Sequence, residues 1–136
     1  LLNGVSEEKI NILRAIGTEI GIAFQIQDDY LGIWGDSHLT GKSTSTDIKT
    51  RKKTYPLILG QYTIPEIQEC FNDTTHLHDL SVQKLTTALS DAKVDQKTNN
   101  LALSYKKNAL SHFETTFTKD SQAKKGLRDI LDKMIK

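Results

Sequence analysis

The residues of this 136-residue chain best placed to do chemistry are two adjacent carboxylates, Asp28 and Asp29, and the cations downstream of them, Lys42 and Arg51-Lys52-Lys53. The pair stands in an apolar run, between Phe24 and Trp34, toward the end of what the spacing predicts to be a helix. Two ionised carboxylates repel each other there, and a helix C-terminus favours cations. A hard divalent cation offsets both terms, because Mg²⁺ takes oxygen ligands and keeps waters and phosphate oxygens around it. Taken singly, an Asp-Asp pair is more often an acidic surface patch, and a KTRKK run a solvated basic loop. Taken together, an acidic pair facing lysines on a loop suits a diphosphate: the metal bridges phosphate oxygens and the ammonium groups neutralise the remainder.

Gly41-Lys42-Ser43 resembles the end of a phosphate-cradling loop, but the spacing excludes it. That motif needs four residues between its glycines. Here five separate Gly35 from Gly41, Asp36 stands where the first glycine belongs, and the segment follows a helix rather than a strand.

These side chains must be positioned by helices. Ser6 is a candidate N-cap with Glu7 and Glu8 in the first turn, and Ile10, Leu13, Gly17, Ile20, Phe24 and Leu31 recur at helical steps, with Gln27 the polar exception. The period predicts one long helix over about 6–34. Gly17 and Gly21 thin one stripe of it, which reads either as a close helix crossing or, with Gln25, Asp28 and Gly32 nearly in line, as a cavity wall. Residues 35–53 carry no sustained apolar period and read as a phosphate-binding loop. Helices are then expected from Tyr55, with Pro56 in the first turn and Leu57, Ile58 and Leu59 on the buried side; from Pro65 to about Phe71; over 81–92; over 101–117; and over 123–135. In the last, Leu127, Ile130, Leu131 and Met134 form the apolar side. The expected class is all-α, and the chain is at most one domain.

Eighteen basic against seventeen acidic residues leave a net charge of +1, which argues against a nucleic-acid or membrane-surface binder. The single cysteine, Cys70, forbids an intrachain disulfide and fits a reducing, cytoplasmic setting. No apolar run is long enough to span a membrane, and the opening LLNGVSEEK has neither the basic nor the apolar region of a signal peptide. His38, His76, His78 and His112 have no metal-ligand spacing, and Asp91, Asp95 and Asp120 read as surface charges.

The ordered array Phe24-Gln25, Asp28-Asp29, Gly35-Asp36, Thr40-Gly41-Lys42, Asp47, Lys52, Thr54, Pro56-Leu57 resembles the second aspartate-rich region of the trans-isoprenyl diphosphate synthases, the polyprenyl synthetases that include farnesyl and geranylgeranyl diphosphate synthases. The resemblance implies an all-α bundle of the isoprenoid synthase type, usually a homodimer, condensing an allylic diphosphate with isopentenyl diphosphate by Mg²⁺-assisted ionisation. It implies Asp28 as principal metal ligand and Asp29 as its assistant, Lys42 and Lys52 as diphosphate-binding residues, Gln25 near the reacting centre and Phe24 on the prenyl channel. Where that family often has a third aspartate, Gly32 stands here. The first aspartate-rich region has no counterpart, and Leu1 is not an initiator Met, so the expectation is the C-terminal part of such an enzyme, 1–136, with half the site and inactive alone. The alternative is a non-catalytic helical subunit, derived from such a synthase, that binds diphosphates or a longer partner.

Overall fold

The computed structural model describes residues 6–35, 45–72, 77–117 and 122–134. These form helices joined by turns, with no strand among the described residues: α1 Glu7–Trp34, α2 Thr46–Lys49, α3 Tyr55–Thr63, α4 Pro65–Asn72, α5 Asp79–Asp91, α6 Val94–Thr116 and α7 Gln122–Met134. The class is all-α. No described helix is long and apolar enough to cross a membrane. By its contacts the chain divides into two units, Leu1–Gln25 with Leu101–Lys136, and Ile26–Asn100.

Helix α1 begins where its capping residues place it. Ser6 Oγ accepts the Lys9 N–H at 3.4 Å, and the Ser6 carbonyl accepts the Ile10 N–H. The helix ends at Gly35, whose N–H bonds the Leu31 carbonyl at 2.9 Å. A Cβ there would lie 2.4 Å from that carbonyl oxygen, so only glycine fits. The residues that mark the apolar period of α1 are not the ones it buries. Ile16, Ala23, Ile26 and Ile33 are buried, whereas Leu13, Phe24 and Leu31 are 37%, 48% and 38% exposed. Apolar residues occupy both sides of α1, and periodicity alone cannot say which of them this chain's own helices cover. Gly17 and Gly21 are exposed, and nothing lies within 4 Å of a Cβ at either, so no helix crosses closely there among the described residues.

The core of the second unit gathers Ile33 from the end of α1, Ile48 from α2, Leu57 from α3, Ile67 and Cys70 from α4, Val82, Leu85 and Leu89 from α5, and Val94 from the start of α6. The spacing of Val82, Leu85 and Leu89 puts them on one face of α5. Gly60 lets α3 approach that face: a Cβ at Gly60 would lie 2.7 Å from Leu89 Cδ2. Residues 35–53 are not loop throughout, since α2 interposes one turn with Asp47 and Ile48 buried. In α3, Leu57 is buried but Ile58 is 40% exposed, because successive helical residues are 100° apart and three in a row cannot share a face.

In the first unit, α6 presents Ala102 and Ala109, both fully buried, and α7 presents Leu131. Ile130, expected on the buried side of α7, is 54% exposed. Lys106 Nζ meets Asp132 Oδ1 at 2.8 Å and Arg128 pairs with Glu114, tying α6 to α7. Glu19 accepts from or pairs with His112 at 3.0 Å, tying α1 to α6. Helix α6 starts at Val94, seven residues before the expected Leu101, behind a corner where Lys93 takes φ 57°. Its first turns are polar except at Val94, and the buried Thr98 hydroxyl there donates to the Val94 carbonyl at 2.7 Å.

Candidate functional site

Three chain segments bring charged groups together in the second unit, the end of α1, the turn of α2 and the link 50–54, and the start of α3 adds a backbone N–H. Asp28 is half-buried and Asp29 buried on α1. Asp29 Oδ2 accepts the Tyr55 N–H at 3.1 Å. Tyr55 is the first residue of α3, Thr54 makes no side-chain cap, and Pro56 has no N–H to offer. Asp29 therefore caps α3 from another helix, and its charge faces the positive end of the α3 dipole.

The turn after α2 carries Lys52 back over α2. The Arg51 N–H bonds the Ile48 carbonyl at 3.1 Å and the Lys52 N–H bonds the Asp47 carbonyl at 3.0 Å. This paired bonding is the Schellman ending of a helix, with its left-handed position, usually glycine, filled by Arg51 at φ 49°. A left-handed non-glycine costs about 1–2 kcal/mol. Arg51 Nε donates to the Cys70 carbonyl at the end of α4 at 2.7 Å, which holds it there. Arg51 thus serves the turn, whereas the sequence grouped it with the basic loop.

Lys52 Nζ comes to 3.9 Å from Asp29 Oδ1 and 3.8 Å from Asp47 Oδ2. Both separations exceed hydrogen-bond length, so the attraction is coulombic. The lysine side chain is 49% exposed, while those of Asp29 and Asp47 are 9% and 11% exposed, so carboxylates flank the ammonium on the protein side and solvent meets the other. A Cβ on Gly32 would lie 2.3 Å from Asp47 Oδ2. The Asp47 carboxylate thus rests on the bare Cα of α1 one turn after Asp28.

The end of α1 is fastened independently. Trp34 Nε1 donates to Ser90 Oγ on α5 at 3.0 Å, and Ser45 Oγ donates to the Ile33 carbonyl at 3.2 Å, satisfying one of the carbonyls a helix leaves unpaired at its end. Phe24 and Gln25 stand one turn before the aspartates on α1, both exposed. Lys42 lies outside the described residues. Of the site residues named from sequence, the structure thus brings Asp29 and Lys52 together with Asp28 beside them on α1. It adds three features the sequence did not single out for a role: the Asp47 carboxylate, the Tyr55 N–H and the Arg51 turn. Asp47 and Lys52 are five apart, the separation a Schellman turn closes, but without a glycine at position 51 nothing in the sequence marks that turn.

Compared with known proteins, residues 1–92 match the polyprenyl synthetase family. The chain is 47% identical over 57 residues to a (2E,6E)-farnesyl diphosphate synthase of Mycobacterium tuberculosis, covering 42% of this chain and 16% of that protein. It is 33% identical over 106 residues to a decaprenyl-diphosphate synthase of Dictyostelium discoideum, covering 77% of this chain and 23% of that protein. The crystal structure of a polyprenyl synthetase from Streptomyces coelicolor superposes with a TM-score of 0.88 at 22% identity, over 99% of this chain and 43% of that one. A geranylgeranyl pyrophosphate synthase from Corynebacterium glutamicum, complexed with isoprenyl diphosphate and magnesium, superposes with a TM-score of 0.81 at 24% identity, over 98% of this chain and 39% of that one. The chain thus shares their fold and spans less than half the length of each of these proteins.

Proposed function

The chain belongs to the polyprenyl synthetase family, and we propose that it supplies the second half of the active site of a prenyltransferase of isoprenoid biosynthesis, condensing an allylic diphosphate with isopentenyl diphosphate. The observation that carries this reading is the Asp28-Asp29 pair at the end of α1 with the half-exposed Lys52 ammonium beside it. Asp28 would be the principal holder of Mg²⁺, and Asp29 would assist through the oxygen that does not cap α3. This donor set suits the ion, because it offers hard oxygens only. Among the described residues no group of three or more His, Cys, Asp or Glu side chains is arranged to hold a metal, and Mg²⁺ commonly keeps waters and phosphate oxygens beside one or two carboxylates. Magnesium, when bound, neutralises charge on the departing diphosphate.

The chain's own residues then have separate tasks. Lys52, joined by Lys42, would bind the allylic diphosphate. Gln25 would stand near the reacting carbon, and Phe24, 48% exposed on α1, would wall the prenyl channel and keep water from the developing cation. Leu13, Phe24 and Leu31 form an exposed apolar stripe, which fits a helix completed by the remainder of a synthase and, in the intact protein, a homodimer. The chain alone would be inactive, since among its described residues there is no opposing set of metal ligands.

The test is calorimetry of an allylic diphosphate against the chain with and without Mg²⁺, alongside Asp28→Ala and Lys52→Ala. Binding that requires Mg²⁺ and disappears in both variants is the expected result. Binding that is indifferent to Mg²⁺ and to both substitutions would refute the assignment.

A further inference from the structure

We propose that Asp47 is the positioning residue of Lys52, and that Gly32 is the gap in α1 which admits its carboxylate. The proposal deepens the reading above and rests on it only for the identity of the anion.

A lysine that is half exposed on a linking segment samples many rotamers, and each must be given up when it grips a phosphate. Here two carboxylates from separate elements confine the ammonium, Asp29 Oδ1 at 3.9 Å and Asp47 Oδ2 at 3.8 Å. Their contributions differ in kind. Asp29 also caps α3 through Oδ2 and adjoins the proposed metal ligand. Asp47 is 8% exposed, comes from α2, and is bonded through its own carbonyl to the Lys52 N–H at 3.0 Å. Backbone and carboxylate of one residue therefore hold both ends of Lys52. The seat for that carboxylate exists because position 32 has no Cβ: one built there falls 2.3 Å from Oδ2 and 2.6 Å from Cγ of Asp47. Any side chain at 32 must push the carboxylate aside and carry it off Lys52.

The experiment measures binding of inorganic diphosphate with Mg²⁺ to the chain by calorimetry, for wild type, Asp47→Ala, Asp47→Asn, Gly32→Ala and the Gly32→Ala/Asp47→Ala double variant. A second readout, taken without any anion, is the NMR order of the Lys52 ε-methylene. Asp47→Ala and Gly32→Ala should each weaken diphosphate binding about tenfold, the scale on which outer groups that orient a binding side chain act. The double variant should be no weaker than Asp47→Ala alone, because the Cβ at 32 then has nothing to displace. Lys52 order should fall in all four variants. Unchanged diphosphate affinity together with unchanged Lys52 order in Asp47→Ala overturns the proposal. Should Asp47→Ala fail to fold, Asp47→Asn keeps the shape without the charge and decides the same question. If wild type binds no diphosphate, the functional reading fails, and Lys52 order alone then upholds or overturns the positioning role.

Discussion

Asp28 and Asp29 are neighbours in sequence with opposite expected costs, and replacing each in turn separates support from chemistry. In Asp29→Ala the Tyr55 N–H loses an acceptor 3.1 Å away, at a helix start that has no side-chain cap of its own. An unsatisfied donor at such a position costs about 1–3 kcal/mol. Loss of a negative charge at the α3 N-terminus adds about 0.3–1 kcal/mol. The pair with Lys52, whose side chain is 49% exposed, adds less than about 1 kcal/mol. Relief of the repulsion from Asp28 offsets part of this, leaving a net loss of about 2–3 kcal/mol, or roughly 10 °C in Tm for a chain of this size. Asp28→Ala should change stability by less than about 1 kcal/mol, since it removes a like charge near a helix C-terminus. Thermal and urea unfolding followed by far-UV circular dichroism, paired with Mg²⁺-dependent diphosphate calorimetry, reads both quantities. The expected pattern is a destabilised Asp29→Ala and a stable Asp28→Ala that has lost binding. Wild-type stability in Asp29→Ala would refute the capping argument, whatever the effect on binding.

Arg51→Gly should be less destabilising than Arg51→Ala in urea unfolding, although both lose the bond to the Cys70 carbonyl, because glycine accepts φ 49° without the penalty alanine retains. Equal midpoints would show that the turn relaxes. Gly17→Ala should stabilise the chain by about 0.5–1 kcal/mol, as an exposed helix interior with nothing near the new methyl gains only propensity. Gly60→Ala should destabilise it by about 1–3 kcal/mol, because the methyl enters the Leu89 side chain at 2.7 Å. Equal unfolding midpoints for these two glycine variants would contradict the packing described.

Local physical chemistry made much of this protein legible from its sequence. Ser6 with Glu7 and Glu8 starts α1, and an apolar period carries it to Trp34. Pro56 and Pro65 open α3 and α4, and the ordered array from Phe24 to Leu57 identifies the family, because each of these signals is a property of neighbouring residues. Three matters were decided only by the tertiary structure. The first is which side of α1 is buried: Leu13 and Ile16 are equally apolar, and only the packing of other helices makes one 37% exposed and the other 4%. The second is the early start of α6, where polar residues became helical because Val94 and Thr98 had a core to enter. The third is the frame around Lys52. Asp47 meets a glycine fifteen residues earlier, and Asp29 meets an amide twenty-six residues later. Contacts at such separations leave no periodicity to read. They exist because one turn of helix, ending on an arginine in a glycine's conformation, brings carboxylates of α1 and α2 to the same lysine.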